Sequence, residues 1–318
     1  MRAIVVSAYG GPEELRLEDA PSPRDGQGLV DVRVAGVNLR DIYERERPGY
    51  GPGDPPFVAG VAGVGAVGPG VRDLEPGARV AWLAAFGSYA ERVVVPHGQV
   101  VPVPDDIDDD DACATDDEGA TAHYLTHSAC TLKRGDTVLN HAAAGGFGLL
   151  VKQIVKNLIG GHVIGTKTSE SKGQLAREAG ADEVLHYADV PQGVRDITDG
   201  RGVAVAYDGV DGSTCDAGFD ARAPRGVGIL IAAASGTPAP VPHARLAAKS
   251  LFVTRPPRSH YTATREELLG RIADLFDWVR AGKLSVLIGG RYPLAEARRA
   301  QEDLASRRTT GKLLLLSR

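Results

Sequence analysis

The sequence predicts an α/β protein of two parts, one β-rich and one built on a doubly wound parallel sheet. Three observations carry that prediction. The chain has 318 residues, more than one core usually fills, since single cores stop growing near roughly 250 to 300 residues. Its first hundred residues are short apolar runs broken by Gly and Pro, and from about residue 115 strand-like and helix-like segments alternate. An apolar fraction of 43% beside 24% charged residues is that of a folded globular chain, and the 40 glycines imply many tight turns.

Taken in order, AIVVSAYGG, LVDVRVAGVN, FVAGVAGVGAVGPGV, ARVAWLA and YAERVVVPHGQVVPVP read as strands of a barrel-like sheet, because apolar runs this short between turn residues do not make helices. Nothing helical is needed before about residue 110. An acidic run, Asp105, Asp106 and Asp108 to Asp111, then leads into a helical stretch, ACATDDEGATAHYLTHS. TVLNHAAAGGFG, LLVKQIVKNLI, HVIGT, SKGQLAREAG, DEVLHY, VAVAYDGV and GVGILIAA follow as strand, glycine turn and helix in alternation. That is the pattern of βαβ units and a parallel, Rossmann-type sheet over about 115–255. The tail carries an amphipathic helix, TREELLGRIADLFDWVRAGKL, a short helix at LAEARRAQEDLAS and a closing strand, GKLLLLS, expected to return to the first part.

A formal charge of -5 gives no attraction for nucleic acid or an anionic membrane, so a small-molecule partner is expected. The opening residues MRAIVVSAYGG hold too short an apolar run for a signal peptide or a membrane span, and a cytoplasmic protein is expected. Cys113, Cys130 and Cys215 are dispersed and form no C-x-x-C pair. They support neither a disulfide framework nor a structural zinc site.

The strongest motif runs Asn140-His141-Ala142-Ala143-Ala144-Gly145-Gly146-Phe147-Gly148, after a strand and opening a helix. Glycines there permit the turn and let backbone N–H groups approach a pyrophosphate at the positive end of the helix dipole. The second strand, His162 to Thr166, ends without the carboxylate that would hold the ribose hydroxyls of NAD. Lys167, Thr168, Ser169 and Lys172 lie just beyond it, and Tyr187 ends the next strand. This group can donate to a 2'-phosphate, which favours NADPH, although Lys172 alone reads equally as a solvated helix lysine and Tyr187 as a half-buried strand tyrosine.

HAAAGGFGLLVKQIVK, HVIGTKTSESK and LAREAGADEVLHY resemble the nucleotide-binding half of the NADPH:quinone oxidoreductases, the zeta-crystallin family. SLFVTRP, TREEL and RYPLAEARRAQEDLASRRTTGKLLL resemble the family's C-terminal part, and AGVNLRDIY, AFGSYAERVVV and VVPVPDD its first domain. The resemblance implies a zinc-free member of the medium-chain dehydrogenase/reductase superfamily. A GroES-like catalytic domain, split over 1–115 and 256–318, would surround a Rossmann NADPH-binding domain at 116–255, with the active site in the cleft and a homodimer as the assembly. It implies a cofactor site made of Thr121 beside the nicotinamide, the turn Gly145, Gly146, Phe147 and Gly148, Thr166, the 2'-phosphate ligands Lys172 and Tyr187, and Arg255. Asn38 and Tyr43 would line the acceptor side and donate hydrogen bonds to a quinone or enone oxygen as charge develops there during hydride transfer. In the zinc-dependent relatives a cysteine stands where this chain has Asn38, so zinc is not expected.

The sequence departs from the family at three places. The segment Val58-Ala59-Gly60-Val61-Ala62-Gly63-Val64-Gly65 is shortened and lacks the family's glutamate, Asp116-Asp117-Glu118 puts three acids in succession before Thr121, and Ile231-Ala232-Ala233 replaces Phe-Gly-Asn. The acids read either as a solvated helix start or as a cleft recast for acid–base work. In the second case Asp117 or Glu118 would face the nicotinamide or substrate, one of them keeping its proton near neutrality as a general acid for an isomerase, cyclase or dehydratase. A non-catalytic NADPH-binding regulator is a third class. His123 and His127, four apart with Asp116 on the same helical face, have metal-ligand spacing, but the resemblance speaks against a metal there.

Overall fold

The structure, a computed structural model, describes residues 1–23, 28–69, 71, 73–232, 235–236 and 239–317, without the side chain of residue 116. It is α/β and divides into two compact units. The first is Met1–Ala120, Thr264–Arg280 and Val286–Arg318; the second is Thr121–Ala263 with Ala281–Ser285.

The first unit is built on a largely antiparallel sheet in the order Ile288–Pro293, Lys312–Leu316, Leu29–Val37, Gly63–Val67, Arg79–Trp82 and Val101–Pro102, with Arg92–Val94 also on Leu29–Val37. Its core gathers Val30, Val32, Ala35, Val37, Trp82 and Tyr89 with Leu313 and Leu315 of the closing strand. Register places Leu313 opposite Val37, Leu314 opposite Gly36 and Leu315 opposite Ala35. Strand side chains alternate between faces, so Leu313 and Leu315 enter that core while Lys312 and Leu314 point to the other face, beside Gly36. The helix Asp109–Ala114 packs against Leu29–Val37 and Gly63–Val67 and runs into a π-helical turn, Thr115–Gly119, before Ala120–His127 resumes the α-helix.

One helix breaks the expectation of an all-strand start: Leu39–Glu46 follows directly on the strand Leu29–Val37. Its buried residues are Asp41, Ile42, Glu44 and Arg45. With one apolar residue among four buried ones, the periodic apolar stripe that announces a helix is missing. Polar partners replace it: Arg45 donates from Nε to Gln301 Oε1 at 3.0 Å and from Nη1 to Gly10 O at 2.6 Å.

The second unit is a parallel sheet in the order Glu183–His186, His162–Lys167, Thr137–Asn140, Val203–Asp208, Arg222–Leu230 and Phe252–Thr254. Leu139, Ile164, Val203 and Ala206 pack with Val190 and Val194 of the helix Val190–Ile197. Chain order runs outward in both directions from Thr137–Asn140, a topological switch point, and in open α/β sheets ligands bind beyond the carboxyl ends of the strands there. No helix among the described residues is long and apolar enough to cross a membrane.

Candidate functional site

The glycine turn grows from the central strand of the second unit. Asn140 ends Thr137–Asn140, Ala142 takes a positive φ of 53°, and exposed Gly145 caps the helix Gly146–Gln153. Gly148 is needed for close packing, because a Cβ there would stand 2.6 Å from Ala142 O. The turn, Thr166 and Tyr187 come together: the Ala142 N–H donates to the Tyr187 hydroxyl at 3.1 Å, the His141 ring stacks on the Tyr187 ring at 5.7 Å, and His141 Nδ1 lies 3.3 Å from Thr166 Oγ1. Burial lowers the His141 pKa, and the Asp208 charge only partly opposes it.

Beyond Thr166 the strand continues to Lys167, whose Nζ pairs with Glu170. The strand end therefore carries a cation where an NAD site carries an acid. Lys172 lies in the first turn of Glu170–Glu178, capped by Ser169, whose Oγ accepts from the Lys172 N–H. Thr121 lies in the helix Ala120–His127, which is tied down by Tyr124, whose hydroxyl donates to Pro256 O at 2.9 Å, next to exposed Arg255. His123 and His127 stack on each other at 4.8 Å, and among the described residues no group of three His, Cys, Asp or Glu side chains is placed to hold a metal ion. Of the Ile231-Ala232-Ala233 segment, Ala233 lies outside the described residues.

This surface suits a dinucleotide. An exposed glycine begins a helix whose first N–H groups have no intrahelical acceptor, lysines follow the second strand, and no carboxylate ends it. Beneath it lies Lys152, fully buried, with Nζ donating to Gly148 O at 2.7 Å and to Ala143 O. With no carboxylate contacting it among the described residues, burial pulls its pKa down to about 7.

The acceptor-side candidates belong to the first unit. Asn38 precedes the helix Leu39–Glu46; its backbone N–H donates to Asp41 Oδ2 at 2.8 Å, and that oxygen also accepts from the Tyr89 hydroxyl at 2.7 Å. Burial raises the Asp41 carboxyl to about 6, against the pull of the two hydrogen bonds. Tyr43, half-buried, meets Tyr50 edge-on at 5.7 Å, with the Arg47 guanidinium 5.1 Å above its ring.

Asp117 and Glu118 converge with Asn38 on a residue that the sequence reading passes over. Lys312, whose side chain has no exposed surface, donates from Nζ to Asn38 Oδ1 and to Asp117 Oδ2, the latter at 3.0 Å, and stands 3.7 Å from Glu118 Oε1. Burial alone would lower its pKa, but the Glu118 and Asp117 charges outweigh that and hold it above the ordinary lysine value. The Glu118 carboxyl is raised by burial, with Lys312 pulling it back and Asp117 pushing it up, and its Oε2 is buried without a hydrogen-bond partner. Asp117 and Glu118 are therefore not a solvated helix start, while the side chain of Asp116 lies outside the described residues. Both lie within one π-helical turn and meet one ammonium.

A family model described as an alcohol dehydrogenase GroES-like domain matches residues 24–105, and one described as a zinc-binding dehydrogenase matches 179–315. A quinone oxidoreductase of Pseudomonas aeruginosa is 39% identical over 99% of each chain. A 2-haloacrylate reductase of Burkholderia is 37% identical over 99% of this chain and 98% of its own. Among solved structures, a mycobacterial protein in complex with NADPH superposes with a TM-score of 0.94 at 42% identity, and the Escherichia coli quinone oxidoreductase with NADPH does so with 0.94 at 33%; each match covers 99% of this chain and 100% of the other.

Proposed function

The chain belongs to the quinone oxidoreductase family of medium-chain dehydrogenases/reductases, and on that footing we propose that it is an NADPH-dependent reductase that passes hydride to a quinone or enone-type small molecule. The observation that carries the cofactor half is the turn at Gly145 to Gly148, exposed at Gly145 and lying beside Thr166 and Tyr187, with Lys167 and not an acid at the strand end. Relatives of this chain have been solved with NADPH. Bound there, NADPH supplies the hydride. Gly145, Gly146, Phe147 and Gly148 would hold the pyrophosphate, Lys172 and Tyr187 the 2'-phosphate, and Thr121 and Arg255 the remainder of the cofactor.

Asn38 and Tyr43 would polarise the acceptor by donating to its oxygen. Asp117 and Glu118 act through Lys312. Asp117 Oδ2, held by the buried Lys312 ammonium, is a poor proton carrier, which favours the reductase reading over isomerase, cyclase or dehydratase chemistry. In this reading 1–115 with 256–318 serves the acceptor and 116–255 the cofactor, and the enzyme works in the cytoplasm as a homodimer. The test is stoichiometric loss of NADPH absorbance on addition of benzoquinone or an enone. Turnover of a substrate with NADPH left intact would transfer the protein to the acid–base class, and binding without turnover to the regulators.

A further inference from the structure

We infer that Lys312 is a positioning residue of the reductase site: it fixes the Asn38 carboxamide with its oxygen inward, so that Asn38 can meet an acceptor only as a hydrogen-bond donor. The inference rests on the reading that Asn38 faces the acceptor. A carboxamide has two orientations of nearly equal shape, one offering a donor and the other an acceptor, and its partners choose between them. An ammonium has three N–H donors and no lone pair, so Lys312 Nζ selects Oδ1. Nδ2 is left as the donor of the pair. It donates to Gly36 O at 3.3 Å, which uses one of its two hydrogens, and the second has no acceptor among the described residues. Asn38 is only half-buried, so that second N–H is open to a ligand.

The backbone of Asn38 is clamped as firmly as its side chain, through its N–H to Asp41 and from Asp41 to Tyr89. Register builds the meeting: Leu313 pairs with Val37, so Lys312 stands across from Asn38 on the same face of the sheet. Gly36 makes the room, because a Cβ there would lie 3.0 Å from Lys312 Cε and 3.2 Å from Nζ.

Asp117 and Glu118 have a defined part in this arrangement. A lysine buried without a carboxylate beside it is pulled toward its neutral form, the direction in which burial moves Lys152 in the same chain. A neutral amine has a lone pair and accepts as well as donates, so it would no longer dictate the amide's orientation. The two carboxylates keep Lys312 charged. Its charge in turn polarises the carboxamide, strengthening the second N–H as a donor to an oxygen that becomes negative on hydride transfer.

The test uses a replacement that leaves no unpaired buried charge: Lys312→Met combined with Asp117→Asn and Glu118→Gln. With benzoquinone and NADPH, kcat should fall about tenfold or more while the NADPH dissociation constant stays within about twofold. Adding Asn38→Ala should then cost less than about twofold, because both changes remove one interaction. A triple variant with kcat near that of the unaltered protein, or a full Asn38→Ala loss in both backgrounds, overturns the inference. The Asn38 side-chain amide pair in proton–nitrogen spectra, assigned with Asn38→Ala, gives a readout independent of turnover. It should shift in the triple variant, and an unmoved pair also overturns the inference. If the unaltered protein leaves NADPH unoxidised with every quinone and enone tried, it is the reading of the reaction that falls, while the amide pair still decides whether Lys312 orients Asn38.

Discussion

Lys312 Nζ stands 3.0 Å from Asp117 Oδ2 although 195 positions separate the two residues, and the lysine side chain has no exposed surface. Removing one partner of a buried ion pair leaves an uncompensated charge and costs about 3 to 5 kcal/mol. Lys312→Met is therefore expected to lower the unfolding free energy in urea by that amount. Asp117→Asn added to it should return part of the loss, since it removes one of the orphaned carboxylates. An unchanged midpoint for Lys312→Met would show that the pair contributes nothing.

NADPH selection should depend on Lys172. A charge-assisted hydrogen bond to phosphate contributes about 1.5 to 3 kcal/mol, or roughly tenfold to a hundredfold in affinity. In calorimetric titration Lys172→Ala should weaken NADPH by that factor and leave NADH almost unchanged. Equal losses for the two cofactors would remove Lys172 from the 2'-phosphate. Lys167, already held by Glu170, keeps some preference for NADPH in the variant.

These two lysines show where the sequence speaks and where it falls silent. The turn at Gly145 to Gly148 is legible because strand, glycines, helix and second strand lie within about thirty residues and each leaves a local pattern. Lys312 is not, because its partners Asn38 and Asp117 are 274 and 195 positions away and only the sheet register joins them. A faint signal exists: in KLLLL the strand alternation puts the lysine on the face of Leu314, which is fully buried. The helix Leu39–Glu46 is missed for a different reason, since its buried side is mostly polar and its apolar period is absent. The acids of the Thr115–Gly119 segment are conspicuous in the sequence, but a helix fans successive side chains about 100° apart, and only the placement of Lys312 beside the segment shows that Asp117 and Glu118 share one partner.

Stability should rise with pH because of Lys152. Burial takes its pKa from 10.5 down to about 7. Between those values the unfolded chain binds the proton and the folded chain does not, so this group makes folding more favourable as pH rises through the window and costs most below about 7. At 1.36 kcal/mol per unit the full cost is at most about 5 kcal/mol. Lys152→Met should be more stable than the unaltered protein at pH 6, with the gap closing toward pH 10. Paired denaturation curves check this, and a gap independent of pH would mean that Lys152 remains charged when buried.

Gly36 decides the space for the buried ammonium. The residue lies in the strand Leu29–Val37 and takes no left-handed backbone, so a substitution there meets contacts and not dihedral strain. An alanine methyl would sit 3.0 Å from Lys312 Cε, 3.2 Å from Nζ and 3.3 Å from Cys113 Sγ. A lysine with a free end could swing away, but this one is tethered by Asn38, Asp117 and Glu118. Gly36→Ala must therefore either stretch those bonds or push back the helix Asp109–Ala114 that carries Cys113. Overpacking of this kind costs about 1 to 3 kcal/mol. The cost should shrink once the tether is cut: in the background of Lys312→Met with Asp117→Asn and Glu118→Gln, the thioether is free to move and Gly36→Ala should lose about 1 kcal/mol less. Equal costs in both backgrounds would place the clash on Cys113 and its helix, and Lys312 would then not be the group for which Gly36 makes room.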